Sequence, residues 1–427
     1  MIESAGTCNA HRNQKPGAPS IRRSSDERVE RHESKAALSA IAALTALVAL
    51  TACSKQDFPQ YPANYREYAY VANSGSGTVT VLDVVNVRVD REIAVGQNPV
   101  AVAASPRRNE VYVVNAGPEG GQGSLSVIDA EKNALAATIP LHRKPLAIEL
   151  DAEGALAYVA NSGSNSISII DLKARQTIAE IGAGEEPVAV RSSPDGRTLV
   201  VANRRGNSVS VIDAAGRNVR AVFDGCLGAA DVVILPDSSK AFVACSAGHQ
   251  VMAIALADSK SNAGRPDRME ALLDVGRVPM QLALKPDGGE LFVSNAGSDS
   301  ISEVVTSTDD VGGAYLMGDA PVRGLVSSDN AMLYVANSRS QYVTPYAIDD
   351  GRRLKSIHVG DGPAALAFST NGFFLFVVDN RSGDVAVVRA VGMDYEAENR
   401  AATQLLFAIL PTGRGPDAIA VKGFTVR

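Results

Sequence analysis

The chain has 427 residues, 45% of them hydrophobic but only 5% aromatic, with 37 Gly and no Trp, enough apolar material for a large core. Length alone would suggest two or three domains. A formal net charge of −6 argues against a partner held by sequence-independent contacts to nucleic acid.

Residues 1–35 are polar and charged without apolar periodicity, and read as disordered or as lying ahead of the true translation start; a start near Val29 would give a more ordinary leader. Ala36 to Leu50 is an apolar run of 15 residues, short for a membrane span and suited to a signal-peptide core. Leu50-Thr51-Ala52-Cys53 follows, and resembles the lipobox of bacterial lipoproteins. The resemblance implies that Cys53 is acylated and becomes the mature N-terminus, anchoring the protein to a membrane of the bacterial envelope. Ser54, where an Asp would mark inner-membrane retention, implies the outer membrane, facing periplasm or surface. A plain secretory signal with an incidental Cys is the alternative. Cleavage there would remove seven Lys or Arg and five Asp or Glu, leaving 34 against 42, about −8. Residues 53–65 then form a polar, proline-containing tether.

From residue 66 the chain repeats. Pro145 to Gly184 holds four short apolar runs separated by Gly, Ser, Asp and Asn, the pattern of one four-stranded antiparallel sheet. Its tetrapeptide Tyr158-Val159-Ala160-Asn161 recurs in close variants ending at Asn73, Asn115, Asn161, Asn203, Cys245, Asn295, Asn337 and Asp379, at spacings of 42, 46, 42, 42, 50, 42 and 42. That period predicts a single all-β propeller of eight blades. A proline (alanine at 229) stands 16 residues before the end of each tetrapeptide except the first, while Pro416 has no tetrapeptide after it. The strand at about Asp417–Val421 is therefore expected to pair with Glu67–Val71 and close the ring, removing its free edges. Two insertions, Ala257–Met269 and Met393–Gln404, fall between third and fourth strands.

The YVAN tetrapeptides, the SVSVID strand at 208–213 and the I-x-V-G-x-x-P segment at 93–99 resemble the YVTN family of β-propellers. The resemblance covers nearly all of residues 65–423. It implies the fold strongly and the function weakly. Members often have seven blades, the alternative to the eight counted here.

Repeats also show where one blade departs from its siblings. The slot three residues before the proline is Gly in six blades and becomes His142 and Cys226 in the others. The last tetrapeptide position is Asn in six blades and becomes Cys245 and Asp379. Cys226 and Cys245 thus share one end of one blade, and a disulfide is expected in an oxidising envelope. On the innermost strands, where Ala prevails at the second and fourth positions after the proline, the second becomes Asp231, Gln281 and Arg323 and the fourth becomes Glu149 and Arg191. These residues read either as inter-blade ion pairs and hydrogen bonds, Glu149 with Arg191 and Asp231 with Arg323 through Gln281, or as a polar patch at the channel with His142 and Arg143 at its mouth. The two readings are compatible.

The mature domain has three His and no metal-spaced cluster, Gly-x-Ser-x-Gly elbow or phosphate loop. The leading expectation is a monomeric, non-catalytic scaffold that binds an envelope protein or a small polar ligand, with no cofactor required by the sequence. An alternative is a propeller enzyme or cofactor carrier, lactonase-like, quinone-binding or haem d1-type, drawing on Glu149, Asp231, His142 and Arg323. A structural or adhesive surface protein is the third.

Overall fold

Each repeat folds into one antiparallel sheet in the computed structural model, which describes residues 59–257, 262, 264–390 and 405–426. The compact unit is Tyr61–Arg427. The leader, the first part of the tether (53–58, with Cys53) and the 393–404 insertion lie outside the described residues, as do 258–261 and 263 of the other insertion.

Eight sheets form, seven of four strands and one whose outer strand is in two pieces. Blade 3 is typical: Pro145–Leu150, Leu156–Asn161, Ser166–Asp171 and Gln176–Gly182 pair in sequence order. The innermost strands touch in cyclic order, with Pro416–Thr425 standing between Pro99–Ala104 and Pro363–Phe368. Ring closure is as expected but longer: Tyr65–Asn73 pairs with Pro416–Thr425, setting Glu67 opposite Gly423 and Val71 opposite Ile419. Buried Glu67 tightens this closure by accepting bonds from the Thr370 amide (2.6 Å) and the Tyr65 hydroxyl (3.0 Å).

The repeated polar residues hold the hairpins. In blade 3, buried Asn161 donates its side-chain amide to Ser168 Oγ at 2.8 Å, and Asn73, Asn203, Asn295 and Asn337 make equivalent bonds to Thr or Ser seven residues on. The Asp ending the third strand accepts amides of the next turn, as Asp171 does from Lys173 and Ala174. The residue before each proline slot has positive φ in all eight blades, including Asn98, Lys144, Glu186 and Val278. Apolar residues face the neighbouring blade: Val200, Val211, Val232 and Ile254, for example, form one buried cluster across blades 4 and 5. The core thus lies between blades.

Two irregularities have local causes. Pro345, inside the third strand of blade 7, has no N–H to offer the outer strand, which breaks into Arg352–Arg353 and Ile357–His358. In blade 2, the extra residues of the 46-residue interval lengthen the second hairpin, so that Gln122 pairs with Arg143 and the outer strand runs on through Ala134–Arg143.

Candidate functional site: the channel wall of blades 3 to 7

The fourth-position side chains Glu149 and Arg191 come from the adjoining inner strands Pro145–Leu150 and Pro187–Ser192. Arg191 Nη1 stands 3.5 Å from Glu149 Oε2, and its Nη2 stands 3.6 Å from Asp231 Oδ1 on the next strand, Ala229–Ile234. One guanidinium therefore bridges two carboxylates across three blades. Burial pushes the Glu149 carboxyl up and Arg191 opposes that rise. Burial alone would pull Arg191 down, but Asp231 and Glu149 hold it above its ordinary value.

Asp231 is also fixed by the Leu282 amide, which donates to Oδ2 at 3.1 Å. Gln281 does not reach Arg323 as the spacing suggested. It accepts the Gly324 amide at 2.7 Å and donates to the Leu282 carbonyl at 2.6 Å, tying the inner strands of blades 6 and 7 together.

Arg323 is left over. It is exposed, and it has no hydrogen-bond or ion-pair partner among the described residues. Its guanidinium is held below its ordinary pKa first by burial among protein atoms and then by the charge of Arg191, while Asp231 acts in the opposite sense. An exposed side chain on an inner strand, two residues after the proline, fits one reaching toward the central channel. Arg191 acts on it from three blades away.

His142 is placed differently from the expected mouth. His142 Nε2 contacts Glu180 Oε2 at 2.7 Å, on the outermost strand of blade 3, because the prolonged strand of blade 2 carries it away from the axis. Arg143 is exposed at the end of that prolonged strand, its amide bonded to Ser164 Oγ at 3.1 Å. His249 accepts the Val278 amide, and His358 lies on an outer strand against Tyr342. Lys144 and Arg381 lie against Glu186 and Asp361 of the blade-joining loops.

Cys226 and Cys245 form the expected disulfide. Asp379 is fully buried opposite Asp384, with Gly360 N donating to its Oδ2 at 2.9 Å. Burial, reinforced by Asp384, raises its carboxyl to about 8. A separate cleft of about 220 Å³, lined by Ser327, Asp329, Tyr334, Phe368 and Asn371 among others, opens between the first hairpins of blades 7 and 8 and is not part of the channel wall. Among the described residues, no three His, Cys, Asp or Glu side chains gather as metal ligands, and no helix is long and apolar enough to cross a membrane.

Fold and wall together define an eight-bladed β-propeller with a polar channel. No protein-family model matches the chain, and no curated protein matches it. Similar solved structures include hydrazine synthase of Kuenenia stuttgartiensis, 23% identical over 75% of this chain and 91% of that one, with a TM-score of 0.53. A functionally unknown protein from Desulfotomaculum acetoxidans DSM 771 is 14% identical over 83% and 98%, with a TM-score of 0.54. Dihydro-heme d1 dehydrogenase NirN in complex with DHE is 15% identical over 87% of this chain and 78% of that one, with a TM-score of 0.65. At these identities the likeness is one of fold.

Proposed function

We propose that the protein is an envelope-anchored, ligand-binding β-propeller whose central channel takes a small anionic molecule at Arg323. The observation that carries this is the contrast between two arginines on one wall: Arg191 is paired with Glu149 and Asp231, whereas Arg323 is exposed and has no hydrogen-bond or ion-pair partner among the described residues. A fold needs no such cation, and leaving one partly enclosed costs desolvation that a bound anion would offset. The YVTN-like repeats and the lipobox at Cys53 support a lipid-anchored propeller, with the outer membrane as its place and a monomer as its state. Nucleic acid is not among its partners in this reading.

The enzyme or cofactor alternative draws a little support from the fold it shares with hydrazine synthase and the dehydrogenase NirN. It would have to manage without His142 as an axial ligand, since that ring lies on the outer strand of blade 2, against the outermost strand of blade 3.

The test is native mass spectrometry and absorbance on the chain from Ser54 onward, which contains the whole closed ring, purified from its own envelope beside an Arg323→Met variant. A stoichiometric small anion present in the parent and lost in the variant supports channel binding. Empty channels in both would refute it and leave a protein-binding scaffold.

A further inference from the structure

The joints leading into blades 5 and 6 depart from the other six in a way the fold does not require. Two residues before the proline slot, every other joint carries a charged or amide side chain, from Gln97 to Arg414, but blade 5 carries Leu227. One residue before it, the backbone is left-handed in every blade, a conformation suited to Gly or Asn. Blade 6 places Val278 there at φ 55°, a β-branched side chain in a region that strongly disfavours it. Such strain persists where something other than the local fold selects the residue.

Both side chains are exposed, as is Met280 just after the proline of blade 6. Leu227 is 48% exposed, Val278 36% and Met280 37%. Leu227 lies beside Gly248, His249 takes the Val278 amide at 3.1 Å, and the Ser246 hydroxyl faces Met280 Sδ at 3.8 Å, so all three are set about the 246–249 turn of blade 5. Met280 immediately precedes Gln281, whose Oε1 is bonded to the amide following Arg323. An apolar rim and an unpaired cation thus occupy adjoining inner strands.

We infer that the channel mouth over blades 5 to 7 binds an amphiphilic carboxylate, its aliphatic or aromatic body on Leu227, Val278 and Met280 and its carboxylate on Arg323. This rests on the channel-binding reading and gives its ligand a class. The apolar half accounts for Leu227 where every sibling joint is charged or an amide and for Val278 in a left-handed position, and the anionic half for a cation with no hydrogen-bond or ion-pair partner among the described residues.

The test is an NMR titration of the chain from Ser54 onward with octanoate and with acetate, which share a head and differ in body. Octanoate is expected to bind at least roughly tenfold more tightly, from the apolar area it covers. Leu227→Gln and Met280→Ala, both using residue types found in sibling joints, should each weaken octanoate several-fold and leave acetate unchanged. Arg323→Met should weaken both. Val278→Asn should raise Tm by relieving the backbone while weakening octanoate, a pairing that a purely structural residue would not give. Equal, Arg323-dependent binding of the two probes would overturn the apolar rim and leave channel binding standing. Octanoate binding indifferent to Arg323→Met would overturn the inference, and binding of neither probe would overturn both it and the channel reading.

Discussion

Cys226 and Cys245 are bonded to each other, their Cα atoms 4.8 Å apart, in the slot where six sibling blades press a glycine against an asparagine or aspartate. In those blades a Cβ on the glycine would collide with the opposing side chain, as Gly184 would with Asn203 Cγ at 2.7 Å. The disulfide replaces that close approach with a covalent bond. In blade 5, Gln250 and Met252 also stand where siblings offer the hydroxyls that Asn donates to.

Removing the disulfide as Cys226→Ala, Cys245→Ala should therefore cost about 3 kcal/mol for a closed loop of this size. Restoring the sibling pair as Cys226→Gly, Cys245→Asn should not recover it, because the new amide would lack both hydroxyl acceptors. Guanidinium unfolding of the three proteins, under oxidising conditions, measures the difference.

The same close approach predicts the effect of a single methyl. Gly184→Ala, forced against Asn203, should destabilise by about 1–3 kcal/mol. Gly182→Ala, where no atom lies within 4 Å of the added carbon, should be nearly neutral. Thermal unfolding of the two variants should separate them by several degrees.

Asp379 gives the fold a pH dependence with a definite sign. Its carboxyl rises from 3.8 to about 8 on folding, so the folded chain holds a proton that the unfolded chain releases between those values. The stabilisation is fully present below about pH 4 and is lost as pH climbs through about 8. In this interval the proton lets Asp379 face Asp384 as the sibling asparagines face a hydroxyl. Calorimetry should therefore show this contribution to Tm falling from pH 5 to pH 9 in the parent, and a shallower fall in Asp379→Asn.

The two channel arginines should separate in stability as they do in pairing. Arg191→Met leaves Glu149 and Asp231 facing each other without a cation, and should cost about 1–2 kcal/mol after allowance for solvent at the site. Arg323→Met breaks no bond or ion pair and should leave stability unchanged or slightly higher. Urea denaturation of both variants checks the contrast.

Much of this was readable before any coordinates. Tetrapeptides and prolines gave eight blades and the strand exchange between the chain ends, since sheet pairing is periodic and each blade repeats its neighbour's register. Two coincident slot departures identified the cysteine pair for the same reason. His142 shows where the method fails: its slot number presumed the siblings' backbone path, but a longer second hairpin in blade 2 prolongs the outer strand and sends the ring to Glu180.

Sequence by itself determined which residues lie on which strand, how the ring closes and which blade carries the disulfide, because these follow from spacing along one chain. Only the tertiary structure decided that Arg191 is shared by two carboxylates, that Gln281 bonds to backbone, and that Arg323 is left without a partner. Those outcomes depend on how far side chains from different blades reach toward a common axis, a distance that no interval in the sequence encodes.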